Sequence, residues 1–381
     1  MIKLVILIND LSFFCSHRLP IAEAAKDNSF NVVIGYGELG GADPNLLKKK
    51  GLDVSYVPMQ RGSINFFKNL QSFFYIWRFF KRENPDIVHL VTIKPYLFGG
   101  VIARLIGIPN LVSAVSGLGT IFIHKDFKSK FLRFLIYPLY SLAFNHLNQI
   151  VIFQNQDDAR ELLKWGVLSS KSKVRLIRGS GVRLENFFNF EENTGVPVVC
   201  FAARLLIDKG VNDFISAARQ LKKRGIRARF LLAGDLDTQN PTGIKMKDLN
   251  KIKEEGYVEI IGFQRDIPKL YAMSHIICLP SYREGLPKAL LEAAAASRAV
   301  VTTDVPGCRD AIIPNKTGIL VPVRNSEALA NAIQDLIENT EKRLSMGRAG
   351  RELAEKDFAI EKIVNEHMKI YDELKRNWSS V

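Results

Sequence analysis

Short continuous runs of apolar residues recur along the chain, separated by longer segments of mixed polarity. In the first half they occupy residues 3–8, 30–34, 54–57, 87–91, 111–115, 150–153 and 174–177. Continuous runs of this kind are typical of parallel strands that are buried on both faces. Helical patterns separate most of them. The first half is therefore predicted to be an α/β unit with a doubly wound parallel sheet.

The same rhythm starts again after a polar break at residues 191–195. The second set of runs occupies residues 196–202, 228–233, 258–261, 276–279 and 299–303. We expect two Rossmann-like units, residues 1–190 and 191–360, which face a central cleft. Residues 361–381 carry an amphipathic helix that could pack back across either unit, the N-terminal one included. Ligands of open parallel sheets bind at the carboxyl ends of the strands.

Composition narrows the class of protein. Of the 381 residues, 47% are hydrophobic and 24% are charged, which is typical of a folded globular chain. The four cysteines form no CxxC pair, which favours reduced thiols in the cytoplasm over disulfides or a zinc site. No apolar stretch of about 18 residues occurs, so we expect no transmembrane helix. Asp10 closes the first apolar run, which favours a buried strand over a signal peptide.

Positive charge is concentrated in the first half. Residues 1–190 carry 24 Lys and Arg against 13 Asp and Glu, a net charge of +11 out of +14 for the whole chain. Such an excess indicates an anionic partner, which charge alone leaves open as nucleic acid, anionic lipid or a phosphorylated substrate.

The densest candidate chemistry lies in residues 280–292, where a strand ends, a loop carries Glu284, and a helix begins near Pro287. Free backbone N–H groups at a helix start suit a phosphate, and Leu286 and Lys288 can supply them. Glu292, in the second turn, could accept hydrogen bonds from ribose hydroxyls, and Glu284 from a sugar ring. An isolated pair of glutamates is more often a solvated loop residue and a polar helix face.

The surrounding residues favour a functional role for the two glutamates. Residues 280–292 resemble the Glu-x7-Glu motif of the retaining family 4 glycosyltransferases, which have the two-domain GT-B fold. Upstream, residues 201–210 resemble the family segment whose Arg204 and Lys209 hold the donor diphosphate. The resemblance implies catalytic roles for Glu284, Arg204 and Lys209 without a metal ion. It also implies donor contacts at Glu292, Gly285, Leu286, Lys288, Phe263 and Arg265.

The first half resembles a narrower bacterial branch, which extends polyprenyl-diphosphate-linked saccharides for surface polysaccharides or glycans. The matching segments are residues 17–20, 92–95 and 113–119, with Gly99. This resemblance points to a HexNAc from a UDP donor. It implies acceptor or sugar contacts at Ser12, His17, Lys94, Ser116, Gly117 and Gly119. Two departures stand out: the loop at residues 9–16 lacks a Gly-Gly pair, and Ser116 stands where many members have histidine.

Two basic, aromatic segments indicate contact with an anionic membrane surface. In the first, positions 66, 67, 70, 73, 74, 77 and 80 form one helical face, which packing on the sheet would also explain. The second covers residues 124–146. The predicted membrane contacts are Phe73, Phe74, Trp77, Lys81, Arg82, Lys128, Lys130 and Arg133.

The sequence therefore predicts a glycosyltransferase that is peripheral on the cytoplasmic face of the inner membrane. A UDP-sugar 2-epimerase of the same architecture is the alternative among enzymes, although its carboxylate and histidine pattern is not apparent. A basic nucleic-acid-binding module is the alternative from another class, and the first half lacks a recognition motif for it. The absence of a GxGxxG after the first strand disfavours a dehydrogenase.

Overall fold

The chain divides into two compact units. The computed structural model describes residues 1–59, 65–119, 122, 127–188, 191–237 and 240–378. One unit combines Met1–Ser180 with Glu361–Val381, and the other is Gly181–Ile360. The first boundary lies ten residues before the polar break because Val182 already belongs to the second unit. Its N–H donates to the carbonyl of Phe358 at 2.8 Å, and its carbonyl accepts from the N–H of Ile360 at 3.1 Å.

The first unit is built on a seven-stranded parallel sheet in the order β3-β2-β1-β4-β5-β6-β7. The predicted strands are confirmed, with shifts of a few residues at most at their ends except for β2, which runs on to Glu38. They are β1 (Lys3–Asp10), β2 (Asn31–Glu38), β3 (Asp53–Tyr56), β4 (Ile87–Val91), β5 (Asn110–Val115), β6 (Gln149–Phe153) and β7 (Lys173–Leu176). The strand order reverses between β1 and β4, which is the topological switch point of a doubly wound sheet.

Helices cover both faces of this sheet. They are α1 (Leu11–His17), α2 (Leu19–Asp27), α3 (Pro44–Lys49), α4 (Phe66–Glu83), α5 (Gly100–Ile106), α6 (Phe127–Ala143) and α7 (Gln156–Lys164), with a π-helical turn at Pro95–Gly99. Reading residues 9–16 as a loop was wrong, since most of that segment is α1. The Asp10 carboxylate accepts from the N–H of Phe13 at 2.9 Å and so caps this helix.

The structure shows which side of α4 packs on the sheet. The residues of α4 that the core buries are Ser72, Ile76, Phe79 and Phe80. Most of the predicted stripe, including Phe66, Phe67, Leu70, Phe74 and Trp77, is exposed instead. The helix is apolar around most of its circumference, so the pattern alone allowed either face to pack on the sheet.

The second unit is built on a six-stranded parallel sheet in the order β10-β9-β8-β11-β12-β13. Its strands are β8 (Val198–Ala202), β9 (Arg229–Ala233), β10 (Glu259–Gly262), β11 (Ile276–Leu279), β12 (Ala299–Thr303) and β13 (Gly318–Val321). Five of them were predicted. The sixth, β13, was not predicted, because four residues after a tight turn give too short a pattern.

The remaining helices surround the second sheet, except for the last one. They are α8 (Val211–Lys223), α9 (Met246–Glu255), α10 (Ile267–Ala272), α11 (Lys288–Ala295), α12 (Ser326–Glu338), α13 (Thr340–Leu353) and α14 (Ile360–Trp378). Helix α14 returns to the first unit, where Ile363, Ile370 and Leu374 join the hydrophobic core. The buried hydroxyl of Tyr371 lies 2.6 Å from Nδ1 of His89 on β4.

Candidate active site

Two loops meet at the switch point of the second sheet. Strands β8 and β11 are neighbours in it, and each is followed by a loop that carries predicted site residues. Arg204 and Lys209 follow β8, and Glu284 follows β11. Because parallel strands end at the same edge of a sheet, both loops lie at the carboxyl edge, where ligands of this fold bind.

Lys209 and Glu284 form an ion pair across these loops. The hydroxyl of Ser281 donates to the same carboxylate oxygen at 2.7 Å. The side chain of Lys209 is 21% exposed and that of Glu284 is 11% exposed. The carboxylate is therefore fixed by two partners and largely screened from water, which suits a group that must hold one orientation.

Backbone contacts hold the two loops against each other. The carbonyl of Asp208 accepts from the N–H of Tyr282 at 2.8 Å and from the hydroxyl of Ser281 at 3.0 Å. Gly210, which caps α8 with φ +78°, lies so close to the other loop that a Cβ there would sit 2.0 Å from the carbonyl oxygen of Pro280. Only glycine fits this approach and this conformation.

A third loop contributes contacts that sequence reasoning missed. The hydroxyl of Tyr282 donates to Asp213 on α8 at 2.8 Å, and the guanidinium of Arg324 lies 4.8 Å from the centre of the tyrosine ring. Burial, together with the hydrogen bond to Asp213, raises the pKa of Tyr282 to about 12. No local pattern marks these residues, because the contacts join segments that are far apart in the sequence.

Glu292 lies on α11, separate from the ion pair. Its side chain is 13% exposed and lies 3.2 Å from the ammonium of Lys288, one turn earlier. Burial raises the pKa of Glu292, and Lys288 acts in the opposite direction. Pro287 caps the helix, and the side chain of Leu286 is buried in the core, so only the backbone of Leu286 can face a ligand.

The other predicted donor residues have different surroundings in the second unit. Arg204 pairs with Asp237 at 2.6 Å. Phe263 and Arg265 are exposed in the segment after β10. Strand β10 is three strands away from β11, so the two strands are on the order of 15 Å apart at the usual strand spacing. Gly285 is buried where Gly307 packs against its carbonyl group.

The predicted acceptor residues lie at the carboxyl edge of the first sheet. They follow three neighbouring strands: Ser12 and His17 lie on α1 after β1, Lys94 follows β4, and Ser116, Gly117 and Gly119 follow β5. A Cβ on Gly119 would lie 2.8 Å from Cδ1 of Ile93, so the loops after β4 and β5 are in contact. The ring of His17 stacks on Phe13, with ring centres 3.9 Å apart.

The predicted membrane contacts are divided between surface and interior. Phe74, Trp77, Lys81, Arg82 and Lys130 are exposed. Phe73 packs edge-on against Phe98, and Arg133 lies over the ring of Phe122 at 5.8 Å. The side chain of Lys128 lies outside the described residues. The strongly exposed Phe66 and Phe67 of α4 and Phe127 and Phe134 of α6 belong to the same two aromatic segments.

Two features are absent from the described residues. In the ranges that the structure covers, no group of three or more His, Cys, Asp and Glu side chains could hold a metal ion. None of the helices described is both long enough and apolar enough to span a bilayer.

Family models match both units. The model "Glycosyl transferase 4-like" matches residues 3–155, and "Glycosyl transferases group 1" matches residues 182–353. The N,N'-diacetylbacillosaminyl-diphospho-undecaprenol alpha-1,3-N-acetylgalactosaminyltransferase of Campylobacter jejuni is 32% identical over 374 residues, which cover 94% of this chain and 96% of that protein. The UDP-Gal:alpha-D-GlcNAc-diphosphoundecaprenol alpha-1,3-galactosyltransferase of Escherichia coli is 24% identical over 73% of each chain.

Solved structures give the same fold. Sucrose-phosphate synthase from Thermosynechococcus elongatus superposes with a TM-score of 0.82 at 18% identity, covering 99% of this chain and 100% of that one. Anabaena Alr3699/HepE in complex with UDP and glucose gives a TM-score of 0.77 at 19% identity, covering 98% and 100%. The chain is a glycosyltransferase with the GT-B fold, and it belongs to the group 1, family 4-like glycosyltransferases.

Proposed function

We propose that this enzyme transfers a HexNAc residue from a UDP-sugar to a saccharide linked to a polyprenyl diphosphate, with retention of the anomeric configuration. The observation that carries the proposal is the Lys209–Glu284 ion pair at the switch point of the second sheet. The name of the C. jejuni relative specifies an acceptor linked to diphospho-undecaprenol and transfer of N-acetylgalactosamine. It therefore supports both the proposed acceptor class and the proposed HexNAc donor sugar. The name of the E. coli relative supports a UDP-linked donor.

Four charged residues of the second unit then have defined tasks. Lys209 and Arg204 neutralise the negative charge that develops on the departing diphosphate. Glu284, oriented by Lys209 and Ser281, accepts hydrogen bonds from hydroxyls of the donor sugar. Glu292 accepts from the ribose hydroxyls. We assign no protein nucleophile. The acceptor oxygen bonds to the anomeric carbon on the face from which the diphosphate leaves, and its hydroxyl proton passes to an oxygen of the departing diphosphate.

A donor screen tests the function directly. The enzyme is incubated with UDP-GlcNAc, UDP-GalNAc, UDP-Glc or UDP-Gal and a HexNAc attached to a short polyprenyl diphosphate, and the product linkage is determined. We expect transfer from a UDP-HexNAc, and an unchanged rate in EDTA because Lys209 and Arg204 supply the positive charge. Conversion of a UDP-sugar without acceptor would instead identify an epimerase, and absence of transfer from every donor would contradict the proposal.

The buried position of Glu292 predicts how donor binding depends on pH. Because its pKa is raised, the carboxylate takes up a proton at a higher pH than an ordinary glutamate, which titrates near about 4.3. Below that raised pKa it can no longer accept from both ribose hydroxyls, so the donor KM should rise as the pH falls. Because the folded pKa of Glu292 exceeds its unfolded pKa, protonation of this residue stabilises the fold and does not itself cause unfolding.

Variants separate this effect from the other ionisable groups. Glu292→Gln should raise the donor KM at neutral pH and remove its acid-side increase. Glu341→Gln, which changes an exposed residue of α13, should leave the profile unchanged. An identical acid-side increase in Glu292→Gln would contradict the ribose role.

We further propose that the outer faces of α4 and α6 bind an anionic membrane surface, which would place the enzyme on the cytoplasmic face of the inner membrane. Both helices pack on the same face of the first sheet, since residues of each join one hydrophobic cluster. Their outer faces combine phenylalanines with Lys81, Arg82 and Lys130. Exposed aromatic rings beside basic residues are typical of binding in the interface of anionic lipids.

Vesicle sedimentation tests this surface. Phe66→Ser/Phe74→Ser and Phe131→Ser/Phe134→Ser should each weaken binding to phosphatidylglycerol vesicles at least tenfold, because each pair removes two exposed rings from the interface. Leu163→Ser, which changes an exposed apolar residue of α7, is the matched control. Unchanged vesicle binding in both double variants, or tighter binding of the wild type to RNA or DNA than to vesicles, would exclude this role.

A further inference from the structure

The chain is strained where it leaves β4. Thr92, the first residue after this strand, has φ +74°, a left-handed conformation that is rare for a β-branched residue. Its hydroxyl donates to Oδ1 of Asn9 at 2.9 Å, and its carbonyl accepts from the N–H of Tyr96 at 3.1 Å, at the start of the π-helical turn. Strain of this kind costs about 1–3 kcal/mol and concentrates at functional sites. The segment that follows β4, residues 92–94, is therefore a candidate functional site.

Lys94, two residues later, is a half-buried cation. Its ammonium donates to Oδ1 of Asn69 on α4 at 2.8 Å. Within the described parts of the chain, no carboxylate lies within ion-pair distance of it. Burial lowers its pKa, and the more distant charge of Glu38 acts in the opposite direction. A desolvated ammonium with one neutral partner still has two N–H groups to offer an anion.

Two side-chain amides add further donors beside it. Asn9 accepts from Thr92, and Asn69 accepts from Lys94, each through Oδ1. Neither NH₂ group has a hydrogen-bond partner among the residues that the structure describes. Asn9 is the penultimate residue of β1 and Thr92 follows β4, at the switch point of the first sheet. This end of the sheet therefore offers three hydrogen-bond donors: the ammonium of Lys94 and the side-chain amides of Asn9 and Asn69.

We propose that Lys94, Asn9 and Asn69 bind the diphosphate group of the lipid-linked acceptor. This inference rests on the proposed function and assigns the part of the acceptor that the first unit recognises. An ammonium and neutral amides match a diphosphate, since charge-assisted hydrogen bonds to its oxygens are strong. Asn69 also lies on the helix that exposes Phe66 and Leu70, so the anion site and an apolar surface for a polyprenyl chain share one helix.

Calorimetric titration of the full chain tests the site with three probes: farnesyl diphosphate, inorganic pyrophosphate and UDP. We expect Lys94→Ala to weaken farnesyl diphosphate binding about ten- to a hundredfold, and pyrophosphate binding in proportion. UDP binding should not change. Lys171→Ala, which removes an exposed lysine before β7, should bind all three probes like the wild type.

Asn69→Asp separates binding from a structural tether. The new carboxylate would pair with Lys94 and keep α4 attached, so a purely structural contact predicts no loss in thermal stability or in binding. The proposed site predicts a loss of farnesyl diphosphate affinity similar to that of Lys94→Ala, because the carboxylate competes for the ammonium and repels the diphosphate. Wild-type affinity in both variants would overturn the inference, and so would a loss confined to UDP. If the wild type binds farnesyl diphosphate but the donor screen shows no transfer from any UDP-sugar, the proposed function fails and this site stands.

Discussion

Lys209→Ala should lower kcat for sugar transfer about 10²–10³-fold, the usual consequence of removing a group that stabilises charge in the transition state. Two effects combine in this variant. The departing diphosphate loses a cation, and Glu284 loses the partner that orients it. Steady-state kinetics with the best UDP-sugar measures the change, and the circular dichroism spectrum should remain that of the wild type.

A matched variant separates this effect from loss of charge in general. Lys316 is exposed in the turn before β13, so Lys316→Ala removes the same charge from the same unit. It should retain wild-type kcat. Turnover near the wild-type level in Lys209→Ala would show that the ion pair is structural and that the catalytic centre lies elsewhere.

Gly210→Ala should destabilise the second unit by about 3 kcal/mol. The left-handed conformation costs a residue with a Cβ about 1–2 kcal/mol, and the clash with the Pro280 carbonyl adds about as much. For a unit of this size the melting temperature should fall by about 6–12 °C. Transfer should fall as well, because the loops that carry Lys209 and Glu284 must separate to relieve the clash.

Gly225→Ala is the control, since Gly225 has φ +75° but a Cβ there would meet nothing within 4 Å. It should cost only about 1 kcal/mol. The three tryptophans, Trp77, Trp165 and Trp378, all belong to the first unit, so intrinsic fluorescence reports on that unit. Circular dichroism should therefore show an early transition in Gly210→Ala that fluorescence does not follow. Equal destabilisation by both substitutions would contradict the close approach of the loops.

The sequence predicted strands more reliably than the faces of helices. A parallel strand buried on both sides appears as an uninterrupted apolar run, as residues 276–279 do, and few other structures produce it. Helix α4 is different because its apolar residues surround most of the axis. The side of α4 that packs is decided by the shape of the sheet beneath Ile76 and Phe79. The spacing of apolar residues along the helix carries no information about that shape. Helix α1 was missed because Asp10 was interpreted as the end of a strand and not as a helix cap.

Candidate site residues were predictable where a motif links them. Lys209 and Glu284 are 75 residues apart, and only the resemblance to a family joined them before the structure placed them in contact. The hydrogen bond between Tyr282 and Asp213 and the strained backbone of Thr92 had no such marker. Both depend on tertiary contacts, which decide the backbone conformation and the partner without leaving a local pattern.

The β-bridge between Val182 and Ala359 determines how this protein can be divided into fragments. The chain enters and leaves the second unit at adjacent points, so residues 181–360 are an insertion with neighbouring ends. Such an insertion can be excised: a short glycine-serine bridge from Ser180 to Glu361 should close the remainder, and the excised piece should fold alone or tolerate new termini in its surface loops. Sugar donors and lipid acceptors could then be studied on separate, independently produced fragments.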